Sequence, residues 1–265
     1  MELGLCIEMA LTKLPFEQRF AAAARLGFKT VEMWFVQDLS WNGSPEELAA
    51  LAKAAGVRIS NTVVGAPDGS LGGGLTNPAK REEWLARARL TLDFNRRAGI
   101  PATIVCTGNV IEGMTDAAMR QSVLDGLKAT TQLAEEAGVT LLLEPLNTRW
   151  DHAGYFLTGS DAGADLCRAV GSERMKLLFD CYHMQIMEGD LVQHIRKNID
   201  VIGHFHSAGV PGRNEIFKSE VDYRFLTAQI KAAGWNKLFA LEFAPSMDDT
   251  DALRQTIDWL GGTTF

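Results

Sequence analysis

Cationic charge, cysteine and long apolar runs are all scarce in this sequence. Across 265 residues, 26 Lys and Arg face 33 Asp and Glu, a formal net charge of −7. No general attraction therefore draws the chain to a phosphate backbone or an anionic lipid surface. The expected partner is a small solute, with neither nucleic acid nor membrane among its partners. The four cysteines, Cys6, Cys106, Cys167 and Cys181, are scattered and form no CxxC pair. They suit neither a disulfide framework nor a thiolate zinc site and are expected to be buried and reduced. No apolar stretch approaches membrane-spanning length. The N-terminal MELGLCIEMALTK lacks a basic region, and Glu8 interrupts its apolar run, so it does not read as a signal peptide. A reducing, cytoplasmic setting is expected. No linker, charge block or low-complexity tract divides the chain, and a single domain over residues 1–265 is expected.

What the sequence does contain is alternation. Short β-rich runs alternate with longer amphipathic stretches, the pattern of parallel strands joined by crossover helices. Eight strands can be read, at Leu3–Met9, KTVEMWF from Lys29, VRISNTVV from Val57, PATIVCT from Pro101, VTLLLEPL from Val139, MKLLFDCYH from Met175, DVIGHFHS from Asp200 and KLFALEF from Lys237. Ser44 and Pro45 open SPEELAALAKAAG as a helix start, and Gly27, Gly56, Gly99, Gly138 and Gly234 each close a helical segment ahead of a strand. Eight units in 265 residues average roughly 33 residues each, which fits an α/β fold of the (β/α)8 TIM barrel type. An open doubly wound sheet is the structural alternative. Between Gly65 and Pro78 the glycine-rich GAPDGSLGGGLTNP follows the third strand and reads as a mobile loop over the active-site face. The phosphate-cradling GxxxxGK[ST] pattern is absent.

Barrel interiors are otherwise filled by branched apolar side chains, so ionisable residues at the ends of apolar strands are informative. LLLEP ends in Glu144, LLFDCYH carries Asp180, GHFHS carries His206 and FALEF carries Glu242, at separations of 36, 26 and 36 residues. Near one βα unit apart, these residues should converge at the C-terminal rim. Three carboxylates held together repel one another unless a cation compensates them. Carboxylate oxygens with one imidazole suit Mn²⁺ or Mg²⁺, ahead of Co²⁺ or Zn²⁺. Each acid alone could instead pair with an arginine or cap a helix; all four together point to a divalent metal.

His183, three residues beyond Asp180, is placed to donate to a substrate oxygen or to orient a carboxylate. Arg213, in VPGRNE, is a rim cation whose planar fork can bind a substrate carboxylate, a loop salt bridge being the plainer alternative. Glu32 and Asn147 also reach toward the rim, Asn147 as a further substrate-binding residue. His204 alternates with His206 and is expected to face the other side of the strand, against the helices. Trp34, Trp41 and Trp150 could wall a pocket and are given no chemistry.

The segments EPLN at Glu144, GYFLT at Gly154, FDCYHMQIMEGDL at Phe179, IGHFHSA at Ile202, PGRNE at Pro211 and LEF at Leu241 together resemble the hydroxypyruvate isomerase family, over essentially the whole chain. That family lies within a wider group of xylose-isomerase-like barrels, with ketose 3-epimerases and metal-dependent abasic-site endonucleases. The resemblance implies the same four metal ligands, a substrate-contacting histidine at His183 and an arginine at Arg213. Its members are often dimers or tetramers, so a homo-oligomer is admitted. Two positions depart from the pattern. His206 stands where a hydroxypyruvate isomerase can carry glutamine, as in the epimerases, and IFKSEVDY replaces the usual glycine-rich continuation after PGRxE.

The implied reaction interconverts hydroxypyruvate and tartronate semialdehyde through an enediolate, with Glu144 or Glu242 moving the proton between carbons and His183 assisting between oxygens. Ketose 3-epimerisation is the close alternative, and a hydride shift is a further route for the isomerisation. Phosphodiester cleavage at abasic DNA is disfavoured by the scarcity of Lys and Arg. A sugar-acid binding protein without activity is the remaining reading.

Overall fold

The structure, a computed structural model, describes residues 1–36, 40–65 and 74–265. Its strands are β1 Glu2–Cys6, β2 Thr30–Glu32, β3 Arg58–Ile59, β4 Asn61–Val63, β5 Ala102–Val105, β6 Thr140–Leu143, β7 Met175–Asp180, β8 Ile202–Ser207 and β9 Leu238–Leu241. The α-helices among the described residues are α1 Phe16–Arg25, α2 Pro45–Ala55, α3 Arg81–Ala98, α4 Asp116–Ala137, α5 Ser160–Val170, α6 Cys181–Met187, α7 Leu191–Asn198, α8 Tyr223–Ala232 and α9 Asp249–Leu260. Every strand pairing is parallel.

The sheet order β3-β2-β1-β9-β8-β7-β6-β5-β4 begins and ends on one stretch of chain, since only Ser60 parts β3 from β4. Met33 N–H donates to Asn61 O at 3.3 Å and Val63 N–H to Trp34 O at 2.7 Å. Pairing with the β2 chain thus continues past Ser60, and the ring closes, which rules out the open doubly wound sheet. The eight expected strands are all present. The third is divided where the barrel's stagger hands it from β2 on one side to β5 on the other.

Helix boundaries follow local chemistry. Ser44 accepts the N–H of Glu47 while the Glu47 side chain returns to the Ser44 N–H, a capping box ahead of Pro45, and Gly56 ends α2 in the left-handed conformation. Such a cap is worth about 1 kcal/mol. At α4 the Thr115 side chain accepts the N–H of Ala118, and Gly138 ends the helix in the left-handed conformation. Between sheet and helices, Phe179, Phe205 and Phe239 are fully buried, with Phe205 edge-on to Trp235 at 5.1 Å.

One irregularity positions the site. Leu177 pairs with Ile202 but Leu178 pairs with His204, so Gly203 is an extra residue in β8. A Cβ at Gly203 would lie 2.5 Å from Lys176 Cβ, so glycine is required by space. Beyond this bulge Asp180 stands level with His206. Of the glycine-rich stretch expected to be a mobile loop, residues 66–73 lie outside the described residues. Among the described residues no helix is long and apolar enough to cross a membrane.

Candidate metal centre and substrate cavity

Glu144 follows β6, Asp180 ends β7, His206 lies near the end of β8 and Glu242 follows β9. All four are buried, and one ligating atom from each lies within 4.8 Å of all the others. His206 Nδ1 faces Glu242 Oε2 at 3.4 Å and Glu144 Oε1 at 3.8 Å, and this buried nitrogen has no hydrogen-bond partner among the described residues. Once Nδ1 gives up its proton, its lone pair and the three carboxylates around it make the donor set that a divalent cation of the Mn²⁺ or Mg²⁺ kind fits.

Electrostatics follow from that crowding. Burial, with the charge of Glu144 behind it, raises Asp180 to about 7. Burial works against a charged His206, but Glu242 and Glu32 outweigh it and hold the imidazole well above its ordinary value. Glu242 is likewise opposed by burial, yet His206 and Arg213 hold it well below the usual carboxylate range. Without a metal, the imidazolium and the guanidinium neutralise the cluster.

Asp180 also caps α6. Its Oδ1 accepts from the backbone N–H of Tyr182 at 2.7 Å and of His183 at 3.3 Å, which sets His183 at the head of that helix. A backbone N–H can only donate, so the 3.2 Å contact from Asn147 N makes His183 Nδ1 an acceptor and leaves the ring proton on Nε2. Nε2 is buried, has no hydrogen-bond partner among the described residues and lies 3.6 Å from Asp180 Oδ2. Burial and the nearby Arg213 hold His183 well below its usual value, so the ring is neutral.

Asn147, expected to bind substrate, spends its side chain inside the protein. Its Nδ2 reaches Asp151 Oδ2 at 2.6 Å and His183 Nδ1 at 2.7 Å, while its Oδ1 accepts from the N–H of Trp150 and of Asp151. It is fully buried and does not line the cavity. Arg213 does line it. Nη2 donates to Glu242 Oε2 at 2.6 Å, and the guanidinium carbon sits 5.4 Å from the Tyr182 ring centre.

The expectation for His204 was wrong. Successive residues of a strand face opposite sides, so residues two apart share a side. The rings of His204 and His206 lie 4.9 Å apart, and both approach Glu32, which points into the barrel beneath the rim. Of the three tryptophans, Trp34 walls the cavity and donates from Nε1 to Glu242 Oε1 at 3.1 Å, Trp41 packs near Phe16, and Trp150 is exposed.

Above the carboxylates lies a cavity of about 410 Å³ lined by Glu144, Glu242, His183, Arg213, Trp34 and His152 among others. Three contributors escaped the sequence reading. His152 stands 5.4 Å from the His183 ring, and burial together with Arg213 lowers its pKa. Tyr155 donates to the Glu144 carbonyl at 2.9 Å and accepts from Thr107 N–H at 2.8 Å, bracing the β6 end. Asp151 accepts from Tyr182 Oη at 2.8 Å. The DHAGYF segment that carries all three has no strand or helix periodicity, so nothing local points them inward. A larger hollow of about 880 Å³ opens at the opposite end of the barrel, with His204 in its wall, but none of the four rim residues lines it. All four cysteines are buried and unpaired, as expected.

The whole chain has clear relatives. It is 31% identical to the 2-oxo-tetronate isomerase of Cupriavidus necator over 96% of this chain and 97% of that protein. It is 27% identical to the hydroxypyruvate isomerase of Escherichia coli, covering 94% and 95% of the two chains. Among solved structures, an AP endonuclease, family 2, from Brucella melitensis superposes with a TM-score of 0.89 at 24% identity, covering 98% of this chain and 99% of that one, a likeness of fold. The model of the xylose isomerase-like TIM barrel family matches residues 20–262. That span takes in all four convergent rim residues and every strand but the first, and the chain belongs to the xylose isomerase-like TIM barrel family.

Proposed function

We propose that this protein is a metal-dependent isomerase of small α-hydroxy-carbonyl acids, with hydroxypyruvate and tartronate semialdehyde as the pair to test first. The observation that carries this reading is the convergence of Glu144, Asp180, His206 and Glu242 beneath a cavity that also holds His183 Nε2–H and Arg213. The four rim residues would hold a divalent cation, Mn²⁺ or Mg²⁺ ahead of Co²⁺ or Zn²⁺, which when bound supplies Lewis-acid polarisation of a carbonyl oxygen.

The chain's own residues then account for the proton movements. Glu144 or Glu242 takes the C3 proton of hydroxypyruvate, giving an enediolate, and returns it to C2, so that C3 becomes the aldehyde. The hydroxyl proton moves from O3 to O2, and the neutral His183, a donor at Nε2, serves that transfer. Arg213, already among the carboxylates, is suited to the substrate's carboxylate. Asn147 holds the His183 tautomer and acts as a positioning residue. Trp34, Val63, Ile104 and Leu146 give the cavity apolar walls that limit water around the enediolate. The name of the Cupriavidus necator relative makes 2-oxo-tetronate the second substrate to assay.

A ketose 3-epimerase is the second reading, favoured by the fact that two carboxylates, Glu144 and Glu242, both face the cavity. Proton NMR in D2O separates the readings. Metal-loaded wild type should exchange C3 protons of hydroxypyruvate and form tartronate semialdehyde, and Glu144→Gln or Glu242→Gln should reduce the rate by about 10²- to 10⁴-fold. Exchange confined to C3 of free ketoses would replace the isomerase with the epimerase. Silence toward all substrates would sink both and favour a sugar-acid binding protein. A cation that must displace the His206 proton gives the site its pH dependence.

A further inference from the structure

We infer that Glu32 and His204 form a buried positioning pair for His206, fixing which of its ring nitrogens faces the carboxylate cluster. The inference rests on the metal reading above but concerns residues beneath the four rim groups.

Glu32 ends β2, across the barrel from β8, and is 1% exposed; its Oε2 lies 2.8 Å from His206 Nε2. That contact decides the tautomer. A carboxylate beside an unprotonated nitrogen at 2.8 Å would set lone pair against lone pair, so Nε2 carries a proton and donates it. Nδ1 is then the nitrogen that gives up its proton to an incoming cation, with its lone pair directed toward Glu144 and Glu242, where no donor among the described residues meets it. The other Glu32 oxygen, Oε1, lies 2.7 Å from His204 Nε2, a close contact whose direction falls outside hydrogen-bond geometry. Among the described residues no arginine or lysine is bonded to Glu32, and the two imidazoles are its buried charge partners. The two rings stand edge-on at 82°, an arrangement that resists rotation of either.

Glu32, His204 and His206 also have the makings of a second cation site, and the distances argue against it. A cation about 2.1 Å from each donor holds neighbouring donors about 3 Å apart or more. Separations of 2.7 and 2.8 Å are shorter than that, and the second is the hydrogen bond from His206 Nε2–H to Glu32.

The test is Mn²⁺ binding, read from the free-ion electron paramagnetic resonance signal and not from turnover. Wild type should bind one Mn²⁺ per chain. Glu32→Leu, which removes the acceptor, should weaken binding by about 10- to 100-fold. Glu32→Gln, which keeps an acceptor oxygen for Nε2–H, should weaken it less, and His204→Gln less again. The Glu32→Leu/His204→Gln double variant should bind no more weakly than Glu32→Leu alone, because both act through one imidazole. Imidazole ¹⁵N shifts of the Mg²⁺-loaded wild type should report Nε2 of His206 as protonated. If Glu32→Leu fails to fold, the ordering of wild type, Glu32→Gln and His204→Gln carries the test, with melting temperatures of the metal-free forms recorded alongside. Equal Mn²⁺ affinity in wild type and variants would overturn the inference and leave the metal centre standing. Two Mn²⁺ in wild type and one in Glu32→Gln would overturn it in favour of a second cation site. No binding by wild type would remove the metal centre and this inference together.

Discussion

Arg213 Nη2 and Glu242 Oε2 lie 2.6 Å apart with Glu242 buried and Arg213 18% exposed, so the strongest cation of the cavity is already paired with one of the four rim groups. On the proposed reaction a substrate carboxylate would therefore compete with Glu242 for Arg213, while a metal would draw Glu242 the other way.

Replacing Arg213 should expose that coupling. Arg213→Lys loses the planar fork and the contact over Tyr182, and a fall in kcat/KM of about 10²-fold is expected, scaled to a charged hydrogen bond of roughly 2–3 kcal/mol. Arg213→Met strips a buried carboxylate of a partner and should lower the melting temperature of the metal-free protein. Steady-state kinetics and thermal denaturation check the two parts. An Arg213→Lys enzyme with wild-type kcat/KM would remove Arg213 from substrate binding.

Metal affinity should rise with pH. His206 is held protonated by Glu242 and Glu32, and Asp180 titrates near 7, so a cation must displace protons to bind. Each proton released makes affinity about tenfold tighter per pH unit. Calorimetry in buffers of different ionisation enthalpy would count the protons. A count of zero near pH 6.5 would contradict this electrostatic picture.

Asp180→Asn should stabilise the metal-free chain while destroying the centre. The folded carboxyl is raised to about 7 from an ordinary value of 3.8. Between those limits the unfolded chain has released a proton that the folded chain retains, so this group's contribution to stability falls as pH rises through the window. Asparagine removes the buried charge and keeps the helix cap. The melting temperature in chelator should therefore rise at pH 8 by a few degrees, the scale on which about 1 kcal/mol acts in a protein of this size, and should rise little at pH 4.

Gly203→Val should cost about 1–3 kcal/mol through overpacking, because a Cβ there meets Lys176 at 2.5 Å and Leu142 at 3.1 Å. Metal affinity should fall with it, since the bulge sets His206 level with Asp180. Chemical denaturation and the Mn²⁺ titration together separate the two effects.

The sequence by itself determined the strands, most helix ends and the convergence of Glu144, Asp180, His206 and Glu242, because these rest on local signals. Apolar runs ending in an ionisable residue, a serine with a following Pro, and glycines in left-handed caps are legible one segment at a time, and a repeat of roughly one βα unit carries them round the barrel. Tertiary structure alone decided which face and which partner each remaining group received. The side occupied by His204 follows from strand alternation, but its contact with Glu32, 172 residues earlier in the chain, exists only once the ring has closed. The saturation of Asn147 by Asp151 and His183, and the inward turn of His152 and Tyr155, depend on a loop with no periodic pattern. The bulge at Gly203 depends on a side chain of the neighbouring strand. Local chemistry fixes elements, whereas register, hydrogen-bond partners and side-chain direction are properties of closure.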